Sequence, residues 1–171
     1  MWRMPLDRRI LVRMWRIGYI VAMPMSAPPA FTAYAVCSVV LSLEMLFLGG
    51  YTAATRARHK GYMNPEDDKV SFKDARLVEG AEHPDVARVQ RAHRNLMESL
   101  PMFFAIGLIA VLIGASPLGV EVCCGVFTAA RVLHAIVYIR GLQPWRTILY
   151  GVGTLALVAL MALSMYTLFT R

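Results

Sequence analysis

Arg91-Ala92-His93-Arg94-Asn95-Leu96-Met97-Glu98 abuts an uncharged stretch running from Ser99 to Val120. A helix needs ~20 predominantly apolar residues to cross the hydrocarbon of a bilayer. The pairing therefore predicts a span entered through a polar end. Five polar or ionisable groups crowd those eight residues. Charged groups at membrane depth are costly, and they are kept where they bind something or pair with each other. A second polar set, Arg131, His134 and Tyr138, lies inside the next apolar segment.

Composition agrees with a membrane protein. The chain has 171 residues, of which 57% are hydrophobic, and its mean hydropathy is +0.51. That is too apolar for an ordinary soluble domain. Four spans are predicted: Ala30 to Thr55, interrupted by Glu44; Arg88 to Ile113; Val120 to Ile139; and Thr147 to Phe169, without a charge. Each run is too long for a strand, and none alternates with the period of two that barrel strands require. The expected fold is all-α, a four-transmembrane-helix bundle over residues 28–171, with no second domain and no internal repeat.

Prolines and turn residues mark the boundaries. Pro28-Pro29 opens the first helix, because proline is tolerated in the first turn. Asn64-Pro65-Glu66-Asp67 is a turn or helix-start signal. Ser116-Pro117 and Gly141-Leu142-Gln143-Pro144 separate the later spans. Pro101 removes a backbone hydrogen bond and should bend the second helix, which either opens space beside the polar cluster or merely packs.

The connection from Arg56 to Arg94 carries nine Lys or Arg against seven acids, and the third connection adds Arg140 and Arg146. Basic residues favour the cytoplasmic side, so both connections are expected there, in a bacterial inner membrane or the endoplasmic reticulum. Residues 1–27 break the pattern, with Arg3, Arg8, Arg9, Arg13 and Arg16 among Trp2, Leu6, Ile10, Leu11 and Trp15. They read as an Arg-rich segment lying in the membrane interface, or as a start placed too early, with Met14, Met23 or Met25 the true one. Arg13 and Arg16 break the only short apolar run, which argues against a cleaved signal.

A net charge of +7 raises nucleic acid as a partner in a soluble protein. Here the cations stand at membrane boundaries, where anionic headgroups account for them. Nucleic-acid motifs, phosphate loops, HExxH and GxSxG are absent. Cys37, Cys123 and Cys124 lie in apolar spans and form neither a disulfide framework nor a zinc pattern, so no metal is expected.

Residues three or four apart share a helix face. Arg91, Arg94 and Glu98 form one stripe, with Asn95 beside it; Arg131, His134 and Tyr138 form another; Arg146 and Tyr150 open the last span. Arg56 closes the first helix at the same level. Several cations gathered in one polar region call for a carboxylate, phosphate or thiolate ligand, which arginine grips through charge-assisted bonds. The plainer alternatives are snorkelling to headgroups, an Arg94–Glu98 ion pair, a satisfied core His134 and interfacial tyrosines.

Arg88 to Glu98, Asn64 to Asp67, Arg131 to Tyr138 and Pro144 to Tyr150, in this order, resemble the motifs of the MAPEG family, the membrane-associated proteins in eicosanoid and glutathione metabolism. The resemblance covers residues 28 to 170 and is nearest the prostaglandin E synthase and microsomal glutathione transferase branch. It implies a homotrimer that binds glutathione between subunits near the cytoplasmic face. It also implies a glutathione-dependent enzyme that conjugates lipophilic electrophiles or reduces lipid hydroperoxides, with a prostaglandin-type isomerase or a non-catalytic lipid-binding scaffold as alternatives. Carried over by motif, Arg56, Arg94, Asn95, Glu98, His134, Tyr138 and Tyr150 bind glutathione, with Arg91 and Arg131 in support. Arg146, Thr147 and Asp67 carry the chemistry; Asp67 also fits a capping role. Thr147 stands where the synthase pattern has serine, and Glu44 where it has a basic residue. Glu44 is expected to pair with an arginine such as Arg131 across a helix or subunit boundary.

Overall fold

The computed structural model describes residues 29–69 and 74–170; the expectation for residues 1–27 lies outside them. Four long helices run α1 Pro29–Arg58, α2 Pro84–Leu112, α3 Pro117–Arg140 and α4 Trp145–Phe169. All four are long and apolar enough to cross a membrane. Each extends the predicted span by one to four residues at its polar end, where the first or last turn emerges from the apolar run.

Local chemistry sets the ends. Proline occupies the first turn of α2 and of α3, where its missing N–H has no helical partner to lose. His83 caps α2, its Nδ1 accepting from the Asp85 N–H at 3.3 Å. Gly141 ends α3 in the left-handed region at φ 69°, and the Leu142 N–H turns back to the Val137 carbonyl at 2.9 Å. That closure satisfies carbonyls the helix end would otherwise strand. α2 remains one helix through Pro101.

α1 and α4 each pack on both α2 and α3 but not on each other. The core runs along the centre through Leu41, Leu48, Leu96, Leu100, Phe103, Val120, Phe127 and Leu160. Phe103 and Phe127 stack with ring centroids 4.7 Å apart. Three buried hydroxyls are satisfied within their own helices: Thr52, Thr55 and Ser164 donate to the carbonyls four residues back, whereas Ser38 Oγ and Thr128 Oγ1 are buried without a hydrogen-bond partner. Gly107 provides the slot for Tyr34, whose ring would lie 2.7 Å from an added Cβ; the Tyr34 hydroxyl donates to the Phe104 carbonyl at 2.9 Å.

The α1–α2 connection holds an element the sequence reading did not foresee. Gly61–Tyr62 (β1) pairs in parallel with Arg76–Leu77 (β2), around a 3-10 turn at Pro65–Lys69. Asn64 and Asp67 close that turn, with the Asp67 N–H on the Asn64 carbonyl at 2.9 Å.

The expected Glu44–Arg131 ion pair does not form within the chain. Among the described residues Glu44 takes part in no salt bridge, and both its carboxylate oxygens are buried without a hydrogen-bond partner. Arg131 instead gives its Nη1 to Asn95.

Candidate active site

Arg131 is the pivot. It is 3% exposed, and its Nη1 donates to Asn95 Oδ1 at 3.1 Å. Its guanidinium faces the Phe127 ring at 5.2 Å and the Tyr150 ring at 5.1 Å. One side chain thus links α2, α3 and α4. Gly153 leaves room for it: a Cβ there would sit 3.3 Å from Arg131 Nε. Arg131 Nε itself is buried with no acceptor.

His134, one turn further along α3, is also buried. Its ring meets Tyr138 edge-on at 5.4 Å and Tyr150 at 6.0 Å. Arg146 reaches back from the first turn of α4 and lies over the Tyr138 ring at 4.8 Å. With its amide oxygen toward Arg146, Gln143 accepts from Nε at 3.1 Å and from Nη2 at 2.7 Å. Thr147 Oγ1 lies 3.3 Å from the same amide. Asn95, Arg131, His134, Tyr138, Arg146, Thr147 and Tyr150 therefore form one continuous patch of cations, aromatic faces and hydroxyls at one end of the bundle. Among the described residues no carboxylate lies within salt-bridge distance of Arg131 or Arg146.

The remaining predicted residues stand apart from that patch within one chain. Arg91, Arg94 and Glu98 are exposed on the outer face of α2, and the alternative intrahelical Arg94–Glu98 ion pair does not form. The same outward stripe continues through Pro101, Met102, Ala105, Leu108, Ile109 and Leu112, all exposed. Arg56 and Asp67 line a cavity of about 240 Å³ in the α1–α2 connection. There Arg56 Nε and Nη2 both reach Glu82 Oε1 at 2.6 Å.

The chain matches the MAPEG family over residues 34–166. It belongs to that family. It is 33% identical to human prostaglandin E synthase (Homo sapiens) over 128 residues, 74% of this chain and 82% of that protein. The horse protein of the same name (Equus caballus) is 32% identical over 135 residues, 78% of this chain and 86% of its own length. Microsomal glutathione S-transferase 1 of Rattus norvegicus is 34% identical over 126 residues, 72% and 79% of the two chains. The MAPEG resemblance read from four motifs is thereby established, together with an integral membrane bundle of four helices.

Three residues of the MAPEG chain escaped the sequence reading. Gln143 carried a usable signal, since it lies three and four positions before Arg146 and Thr147. Gly153 lies three positions after Tyr150, on the same face of α4. Glu82 had no such mark, because its partner Arg56 is 26 positions away and only the folded connection brings them together.

Proposed function

We propose that the chain is a glutathione-dependent integral membrane enzyme. It activates the glutathione thiol for attack on lipophilic electrophiles, for reduction of lipid hydroperoxides, or for both. It works as a homotrimer with its sites between subunits, on the cytoplasmic side. The observation that carries this reading is Arg146, a guanidinium without a carboxylate partner among the described residues, held against Tyr138 by Gln143 beside the Thr147 hydroxyl.

The residues fit the ligand. Arg131 Nε, buried and without an acceptor, is an orphaned donor of the kind a bound carboxylate or carbonyl satisfies. When bound, glutathione supplies the nucleophilic sulfur. Arg146 stabilises negative charge at that sulfur, and Thr147 offers it a hydroxyl. A free thiol has a pKa near ~8.5 and reacts as its thiolate. Lowering that value by about two corresponds to about 2.7 kcal/mol, which is within reach of one desolvated guanidinium. Glu98 takes the tripeptide's ammonium, and Arg56, Arg94 and His134 take its carboxylates and carbonyls. The outward stripe on α2 supports the trimer, because Arg91, Arg94 and Glu98 facing lipid would be left unpaired. A lipophilic second substrate enters laterally from the bilayer.

A prostaglandin-E-forming activity is the second reading. The names of the relatives favour it, as does Asp67, which shares a cavity with Arg56.

The test is a glutathione titration of the purified protein with ultraviolet detection of thiolate, repeated on Arg146→Ala. Thiolate absorbance in the wild type, with loss of that absorbance and of turnover in the variant while glutathione still binds, is the expected result. Binding without thiolate, and no turnover of an electrophile, hydroperoxide or prostaglandin endoperoxide, would overturn the proposal in favour of a scaffold.

A further inference from the structure

His59, His83 and Asp85 meet where the end of α1 faces the start of α2, outside the apolar runs. His59 follows the last residue of α1, His83 caps α2 and Asp85 lies in its first turn. The two imidazoles stack with centroids 3.5 Å apart and planes 17° from parallel. His59 Nε2 is 3.5 Å from Asp85 Oδ2, and His83 Nδ1 is 3.7 Å from the same oxygen. One donor atom from each residue falls within 4.8 Å of the other two.

Two further observations turn this proximity into a ligand set. His83 Nδ1 accepts the Asp85 N–H, so it presents a lone pair rather than a proton, the form a metal ion requires. At 3.3 Å that bond is long and yields readily to a stronger partner. Arg58 and Arg88 line the same cavity of about 210 Å³ as His59 and Asp85 but form no ion pair with the carboxylate. Arg58 lies over the Tyr51 ring at 6.0 Å, and the Arg88 guanidinium rests against Gly141. Among the described residues the ion-pair partners of Asp85 are the two imidazoles.

We propose that His59, His83 and Asp85 bind a divalent transition-metal ion of the zinc class, through two imidazole nitrogens and one carboxylate oxygen. Solvent completes a tetrahedron on the exposed side. Borderline N/O donors select this class over magnesium and calcium, which demand oxygen shells, and over copper(I), which prefers sulfur. Zinc–nitrogen and zinc–oxygen bonds of ~2.0–2.1 Å put tetrahedral ligands about 3.3 Å apart. The two separations from Asp85 Oδ2 need to close by a few tenths of an ångström, and one imidazole must turn out of the stack so that the ion lies in the plane of both rings.

The ion would staple the end of α1 to the start of α2. Glu82, which holds Arg56, is the residue next to His83, so the staple would steady that arginine as well. The site uses none of the residues assigned to glutathione, so it stands or falls separately from the proposed enzyme.

The experiment uses full-length protein without a purification tag, stripped of metal and titrated in detergent with zinc against a chromogenic chelator. The expected result is one saturable equivalent per chain with a zinc-dependent rise in melting temperature. Both should be lost in His59→Gln and in Asp85→Asn. Unchanged helical circular dichroism in each variant confirms that it folds. Absence of saturable binding in the wild type, or undiminished binding in both folded variants, overturns the site. So does loss on Cys123→Ala with retention in His59→Gln, which would place the metal elsewhere.

Discussion

Arg131 shows how a cation is kept inside a membrane bundle. Its charge is spread over one hydrogen bond and two aromatic faces, each modest and none a full counter-ion. Removing its hydrogen-bond acceptor should therefore be felt. Asn95→Ala is expected to destabilise the fold by about 1–3 kcal/mol, read from unfolding in detergent, while Asn95→Asp should restore stability. Glu44 is the opposite case, a carboxylate buried without a partner. Replacing an unpaired buried charge by an apolar group of similar size is stabilising, by about 1–3 kcal/mol. Glu44→Leu should accordingly raise the melting temperature. A fall would mean that a neighbouring subunit supplies the missing cation. Arg131 and Glu44 were visible as charges out of place in apolar runs, and Arg146 as a cation at the mouth of the last span. Their partners were not, because a side chain's partner is set by which helix faces it.

Helix boundaries follow closely from proline, glycine and the length of the apolar runs, since these act within a few residues of where they stand. Packing between helices is set by fit. Gly107 on α2 admits the Tyr34 ring of α1 at a distance no Cβ tolerates. Gly107→Ala should cost about 1–3 kcal/mol through overpacking, and Tyr34→Leu in the same chain should recover much of the loss. A double-mutant cycle by thermal unfolding checks the coupling. The parallel β1–β2 pair could not be foreseen from two residues per strand. Its ladder is held by the Arg76 N–H on the Lys60 carbonyl at 2.8 Å and the Val78 N–H on the Tyr62 carbonyl at 2.9 Å. These are contacts between segments some 15 positions apart in the sequence.

At the scale of the whole molecule, the proposed trimer rests on one face of α2. α2 buries one face and exposes another from Arg91 to Leu112, polar at one end and apolar along the rest. Small Ala105 lies midway, where close approach of a second helix is easiest. Ala105→Trp is expected to dissociate the proposed trimer, seen by light scattering in detergent as a fall from three chains to one. Glutathione binding should go with it, while the helical circular dichroism stays. A monomer in the wild type would refute the shared site. By itself the sequence determined four spans, their order and the family, because length, hydropathy and short motifs are local properties of the chain. It also marked the polar residues proposed for the site. Only the tertiary structure decided which of them meet. It joined Asn95, Arg131, His134, Tyr138 and Arg146 in one patch, tied Arg56 to Glu82 and turned Arg94 and Glu98 outward. Those outcomes depend on how each helix is rotated about its axis, and that rotation is fixed by packing across the whole bundle rather than by any single segment.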